Sequence, residues 1–226
     1  LMPITAMILA AGRGERLRPL TDTTPKPLIE VGGIPLIVRH IEALKEAGIT
    51  DIVVNSAWLS DKIVKFLGNG SRFNVHITHS VEGPGGLETA GGIIKALPYL
   101  SDTFLVVNGD TYMDVSYAKF LQRKLPHNIC ARLYLVKNPA HNLKGDFALG
   151  ENGLVQYGNS YTFSGTALYR KSAFADMGVC RLKLRPLFDK WIAAGALQGY
   201  VFDEPWFDAG TIERLNIINE YIKNRG

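Results

Sequence analysis

Cysteine is scarce. The 226 residues hold two, Cys130 and Cys180, with no CxxC pair and no zinc-type spacing. That excludes a disulfide-stapled scaffold, and the expected state is two separate thiols in a reducing cytoplasm. No stretch reaches the ~18 apolar residues of a membrane span. The apolar run near the N-terminus passes into "AAGRGER" rather than a cleavage site, so no signal peptide is expected. Leu1, standing ahead of Met2, is expected to be extraneous. Charge of one sign is also missing: 25 basic and 21 acidic residues are scattered, and the net charge of +4 is too mild to imply a nucleic-acid partner. Repeats, low-complexity tracts and linkers are absent. The five histidines, His40, His76, His79, His127 and His141, form no HxxxH or HExxH pattern and read as surface or packing residues. A Walker A loop is absent, and Gly12-x-Gly14 has Leu17 where a dinucleotide fingerprint needs its third glycine.

What remains is an ordinary globular composition, 46% hydrophobic and 20% charged, in a chain long enough to bury a core unaided. Short apolar runs alternate with amphipathic ones. Strands are expected at 5–10, 51–56, 74–80 and 103–110, and helices at 36–48, 60–70 and 88–100, with Ser60 as the N-cap of the second helix. This alternation predicts an α/β fold: one Rossmann-like three-layer domain over residues 2–226 with a mostly parallel central sheet. The second part is less regular. Strands are expected at 129–138, 146–150, 154–158, 163–170 and within 197–211, with helices at 184–195 and 211–224. Two halves, about 2–115 and about 116–226, share the domain.

In such sheets ligands lie at the carboxyl ends of the strands. "LAAGRGER" follows the first strand and "NGD" the fourth. Gly12 and Gly14 let backbone N–H groups approach a phosphate, and Arg13, Arg16, Arg18 and Lys26 supply positive charge. Pro25 and Pro27 hold the backbone around Lys26 extended. Asp110, beside Gly109, and Asp208 in "WFDAGT", beside Gly210, come from distant positions and can meet over a magnesium ion with phosphate oxygens. Trp206 sits beside the second aspartate and reads as its anchor. Trp58, Trp191 and Phe207 read as packing.

The run Leu9-Ala10-Ala11-Gly12-x-Gly14-x-Arg16-Leu17-x-Pro19-Leu20-Thr21, then Pro25-Lys26-Pro27-Leu28, with "NGD" and "WFDAGT" in order, resembles the signature of the sugar-1-phosphate nucleotidylyltransferases across nearly the whole chain. The resemblance implies the nucleotide-diphospho-sugar transferase fold, with a nucleotide-binding half at about 2–115 and a sugar-binding half at about 116–226. It also implies a Mg²⁺-dependent reaction of a nucleoside triphosphate with a sugar 1-phosphate that releases pyrophosphate. By that resemblance Arg16, Lys26 and Asp110 serve catalysis, and Asp110 and Asp208 hold the metal. Ala10, Ala11, Gly12, Gly14, Arg16, Lys26, Asn55, Glu82 and Gly91 border the nucleotide, while Asn108, Gly145, Asp146, Ser164 and Gly165 border the sugar.

The chain departs from the family's Glu-Lys-Pro, reading "QYGNSY" at 156–161, and no β-helix repeat follows. "GGLETAGGI", "VNGDTY", "GDFAL" and "TFSGTALY" look most like the family's N-acetylmuramate 1-phosphate uridylyltransferases of peptidoglycan recycling, which use UTP. Lys144 or Arg170 would then meet the lactyl carboxylate. A mannose-1-phosphate guanylyltransferase is the alternative within the family. A catalytically inactive nucleotide-sugar sensor is the alternative outside it, and intact Arg16, Lys26, Asp110 and Asp208 speak against it. The oligomeric state stays open, and a monomer is compatible with the sequence.

Overall fold

The computed structural model describes residues 3–225; Leu1, Met2 and Gly226, and with them the expected ends of the 2–226 domain, lie outside the described residues. The first part runs β1 (Thr5–Leu9), α1 (Leu20–Thr23), β2 (Glu30–Val31), β3 (Ile34–Pro35), α2 (Leu36–Glu46), β4 (Asp51–Ser56), α3 (Ser60–Leu67), β5 (His76–Val81), α4 (Glu88–Ala96), β6 (Thr103–Asn108) and β7 (Thr111–Met113). The second runs β8 (Ala131–Lys137), β9 (Phe147–Leu149), β10 (Val155–Tyr157), β11 (Tyr161–Arg170), α5 (Arg185–Ala193), β12 (Leu197–Val201), β13 (Trp206–Asp208) and α6 (Ile212–Arg225).

Alternation along each central strand sorts its residues between two apolar layers. Ala6 and Ile8 of β1, Ile52 and Val54 of β4, and Leu105 and Val107 of β6 enter one layer, where Ile37, Ile41 and Leu44 of α2 and Ile63 of α3 cover them. Met7, Val53, Phe104 and Val106 enter the other, beneath Ile93 of α4 and Leu187, Phe188 and Trp191 of α5. The result is a three-layer domain. β5, β4, β1 and β6 pair in parallel in that order. β11 then joins antiparallel to β6, β8 pairs antiparallel to β11, and β12 runs parallel to β8. The chain leaves β1 toward β4 on one side and returns on the other side as β6. The crevice therefore opens where β1 and β6 end, at Leu9 and Asn108, which pair directly.

Two short ribbons escaped the sequence patterns. β2 pairs with β3, and β7 pairs with β13 across some ninety residues of chain, putting Asp208 opposite Thr111. A third apolar cluster joins Leu17, Ile29 and Val31 to Leu215 and Ile218 of α6. The last helix thus packs on the first part of the chain, so the two parts interleave rather than divide at about residue 115. Ser60 is not the cap of α3. Leu59 takes that place in a left-handed conformation (φ 52°), and the Ser60 hydroxyl is buried without a hydrogen-bond partner. The approach to α3 is fixed instead by Trp58, whose Nε1 donates to the Thr21 carbonyl at 2.7 Å, and by Lys62, which donates to the Thr23 carbonyl.

Candidate active site

The loop after β1 forms one wall of a cleft of about 1070 Å³. Gly12 faces it with open space around its Cα, the glycine a ligand can approach most closely. Gly14 serves the turn instead. Its φ is +70°, its carbonyl accepts from the Thr21 hydroxyl at 2.6 Å, and an added Cβ would lie 2.8 Å from the Thr21 methyl. Arg13 is committed to the loop as well. It lies 3.8 Å over the Trp58 ring and donates to Asp22 at 2.7 Å, and Arg18 holds the same carboxylate at 2.9 Å. Those two guanidiniums depress the Asp22 pKa, the Arg13 bond most. Of the predicted cations, Lys26 lines the cleft and Arg16 does not; Arg16 stands near Gly210 beside Asp208.

Lys26 is buried in a short turn entered from Pro25 and donates to Asp110 Oδ2 at 2.9 Å. Asp110 follows β6 directly. The glycine before it makes room for the protein itself: a Cβ at Gly109 would lie 2.5 Å from the Leu9 carbonyl, which the Gly109 N–H binds at 2.9 Å. Asp208 arrives by the β7–β13 ribbon, and the Ala209 N–H donates to the Asp110 carbonyl at 2.9 Å. Two residues that the sequence reading did not place in the site flank its carboxylate. Arg214 Nε lies 2.9 Å and His141 Nε2 3.3 Å from Oδ1, neither in hydrogen-bond alignment. His141 also stacks on Trp206, so it is not the uninvolved histidine the sequence suggested. A signal for Arg214 was present: Thr211 Oγ1 caps α6 by accepting the Arg214 N–H at 3.2 Å, which fixes that residue in the helix's first turn. Gly210 leaves space for both arginines, since a Cβ there would lie 2.3 Å from Arg214 Nη2 and 3.1 Å from Arg16 Nη2.

Asn55 and Glu82 meet at the floor of the cleft, both buried. The Ala10 N–H donates to Asn55 Oδ1 at 2.8 Å, and Asn55 Nδ2 donates to Glu82 Oε2 at 2.9 Å. Gly91 does not line the cleft. It packs against the 180–182 segment, where a Cβ would come within 2.2 Å of the Cys180 carbonyl, and its N–H donates to Leu182 at 2.9 Å.

A second cavity, about 260 Å³, lies on the β11 side and includes Asn108, Phe163, Gly165, Trp206 and Asp208. Leu9, Thr89, Asn108 and Asp110 border both spaces, so they meet at the Lys26–Asp110 pair. Gly165 (φ +90°) sits where the β11–β8 register shifts, and a Cβ would strike Asn108 at 2.8 Å. The Ser164 hydroxyl turns inward, donating to the Tyr134 carbonyl at 2.6 Å, while its own carbonyl accepts from Trp206 Nε1 at 3.1 Å. Ser164 thus contributes backbone rather than a hydroxyl. Gly145 and Asp146 line neither space. Asp146 accepts from the Phe163 N–H at 2.8 Å and from Asn142, which shapes the 138–146 loop. Arg170 is excluded as a sugar ligand because its guanidinium binds the carbonyls of Leu125, Pro126 and Ile129 at the other end of β11. Lys144 is exposed on the His141 loop.

These features recur in known proteins. Residues 5–143 match the family described as Nucleotidyl transferase. The chain is 48% identical over 218 residues to N-acetylmuramate alpha-1-phosphate uridylyltransferase of Neisseria meningitidis serogroup B, covering 93% of this chain and 94% of that one. It is 39% identical over 121 residues to UTP–glucose-1-phosphate uridylyltransferase of Synechocystis, which covers 49% of this chain and 31% of that one. The fold matches HddC from Yersinia pseudotuberculosis with a TM-score of 0.82 and 24% identity, covering 97% of this chain and 100% of that one. It also matches a Bacillus anthracis protein solved with sucrose, with a TM-score of 0.87, 23% identity and coverage of 98% and 96%. With the signature loop, the paired aspartates and a relative matched along nearly its whole length, the chain belongs to the sugar-1-phosphate nucleotidylyltransferase family.

Proposed function

We propose that the protein joins UTP to N-acetylmuramate α-1-phosphate, giving UDP-N-acetylmuramate and pyrophosphate. The observation that carries the reaction class is the junction of the two spaces. A nucleotide-sized cleft and a smaller cavity share Leu9, Thr89, Asn108 and Asp110, with the Lys26 ammonium between them. The choice of substrates draws on the 48% identity to the Neisseria enzyme along nearly its whole length.

The sugar-phosphate oxygen attacks the α-phosphorus of UTP, the bond to the β-phosphate oxygen breaks, and pyrophosphate leaves. No covalent bond to the protein is required, so orientation and charge stabilisation supply the rate. The backbone of Ala10–Gly12 shapes the triphosphate wall, Lys26 meets charge at the junction, and Arg16, beside Gly210, would by the family's pattern meet the phosphates that leave. The donor chemistry fits Mg²⁺. Asp110 and Asp208 offer hard oxygens from adjoining strands, and among the described residues no group of three or more potential ligands could hold an ion unaided. Substrate phosphates and water would therefore complete the shell, and the ion would offset phosphate charge. Among the described residues no helix is long and apolar enough to cross a membrane.

The test is pyrophosphate release with Mg²⁺, pairing UTP or GTP with the 1-phosphates of N-acetylmuramate, N-acetylglucosamine, glucose and mannose. Turnover confined to UTP with the muramate phosphate is the expected result. Turnover with GTP and mannose phosphate would move the chain to the guanylyltransferases. Nucleotide binding without turnover on any pair would favour a sensor.

A further inference from the structure

Four elements of the nucleotide half converge at one point. β1 ends just before Ala10, β4 at Asn55 and Ser56, β5 just before Glu82, and α4 begins just after Leu87. Glu82 is only 4% exposed, and two neutral donors meet its carboxylate: Asn55 Nδ2 at 2.9 Å on Oε2 and the Leu87 N–H at 2.9 Å on Oε1. A buried anion without such donors would be costly. Asn55 faces Ala10 with its other end, accepting that N–H at 2.8 Å. The amide has one possible orientation here, because the Ala10 N–H can only donate and the carboxylate can only accept. Gly92 seals the arrangement, since a Cβ there would lie 2.7 Å from Glu82 Oε2 and 2.9 Å from Asn55 Nδ2.

We infer that Asn55 is a positioning residue for the nucleotide. It acts through Ala10 on one side and Glu82 on the other. It locks the phosphate-facing backbone to the opposite wall of the cleft, so that both reach the nucleotide in one register. The inference rests on the nucleotide reading of the cleft. It assigns Asn55 no contact with the reacting atoms.

A double-mutant cycle tests it. In Asn55→Asp, a carboxylate oxygen faces Glu82 Oε2. In Glu82→Gln, the side chain that binds the Leu87 N–H through its oxygen must turn its amide nitrogen toward the Asn55 nitrogen. Combined, the two changes reverse the polarity of the bond and restore it: the new carboxylate at 55 accepts from Ala10 and from the new amide at 82. Each single variant is expected to raise the KM for UTP about 10-fold, leaving kcat and the KM for the sugar phosphate within about 3-fold. The double variant should return the KM for UTP to within about 3-fold of wild type. A general loss of packing would move all three constants together. Single-variant effects that simply add, or that leave the KM for UTP unchanged, overturn the relay. Gly92→Ala probes the same contact without altering charge, should the single variants fail to fold; a folded Gly92→Ala protein with unchanged KM for UTP overturns it as well. Calorimetry with wild-type protein separates the two readings. Failure to bind both UTP and GTP removes the nucleotide reading and the relay with it, whereas binding combined with additive costs removes the relay alone.

Discussion

His40 lies beneath the turn that presents Asp110. Its Nδ1 and Nε2 lie 2.7 Å from the Tyr117 hydroxyl and from the Thr111 carbonyl, the first residue of β7. A carbonyl can only accept, so Nε2 carries the proton and Nδ1 accepts from Tyr117. Burial pulls the His40 pKa down to about 4, against smaller opposing effects from the Thr111 bond and Asp110. Between about pH 4 and 6.5 the unfolded chain therefore binds a proton that the folded chain refuses. Stability falls as pH drops through that window, and this contribution is fully present above it. The gap is worth about 3 kcal/mol. Urea unfolding of wild type and His40→Gln across pH 4–7 checks this. The stability advantage of wild type should shrink by about 3 kcal/mol from pH 7 to pH 4, and a constant difference would mean that His40 is not the group responsible.

At the scale of an element, β11 shows what a single glycine arranges. Its shift against β8 falls between Phe163 and Ala167, and Gly165 lies inside it with φ +90° and Asn108 pressed against its Cα. Gly165→Ala is expected to cost about 1–3 kcal/mol in urea unfolding and to raise the KM for the sugar phosphate more than that for UTP. Gly178→Ala, in open space and without positive φ, should stay within about 0.5 kcal/mol. Equal costs at the two positions would refute the reading of the bulge. Much at this scale was legible beforehand. β4 occupies its expected range, and α2 starts where its apolar period begins, because local periodicity determines both. The aspartates were legible through their glycine-flanked motifs. β7 and β13 were not, because three-residue strands carry no period and their partner lies far along the chain. His141 escaped for the same reason: what makes it a site residue is a contact with Asp208 across the fold, which no local pattern records, whereas Arg214, close to Asp208 in the chain, had a local signal in the Thr211 cap. Gly91 and Gly14 were read as bordering the nucleotide, yet each makes space for the chain itself, a distinction that only the packing neighbours draw.

The whole molecule closes through α6. That helix returns from the second part of the chain and buries Leu215 and Ile218 against Leu17, Ile29 and Val31, which flank the loop bearing Arg16 and Lys26. The same helix begins at the Thr211 cap and carries Arg214, so one element backs the loop of Arg16 and Lys26 and braces Asp208. Loosening it should therefore act on both substrates' sites rather than on stability alone. Ile218 is fully buried, and Ile218→Ala is expected to cost about 2–4 kcal/mol. Hydrogen exchange then locates the damage. Exchange should quicken across residues 13–31 and 206–218, while β4 and β5, which face a different apolar layer, keep their protection. Uniform acceleration, with β4 and β5 opening together with the loop, would mean that α6 stabilises the domain as a whole and has no particular hold on the loop of Arg16 and Lys26.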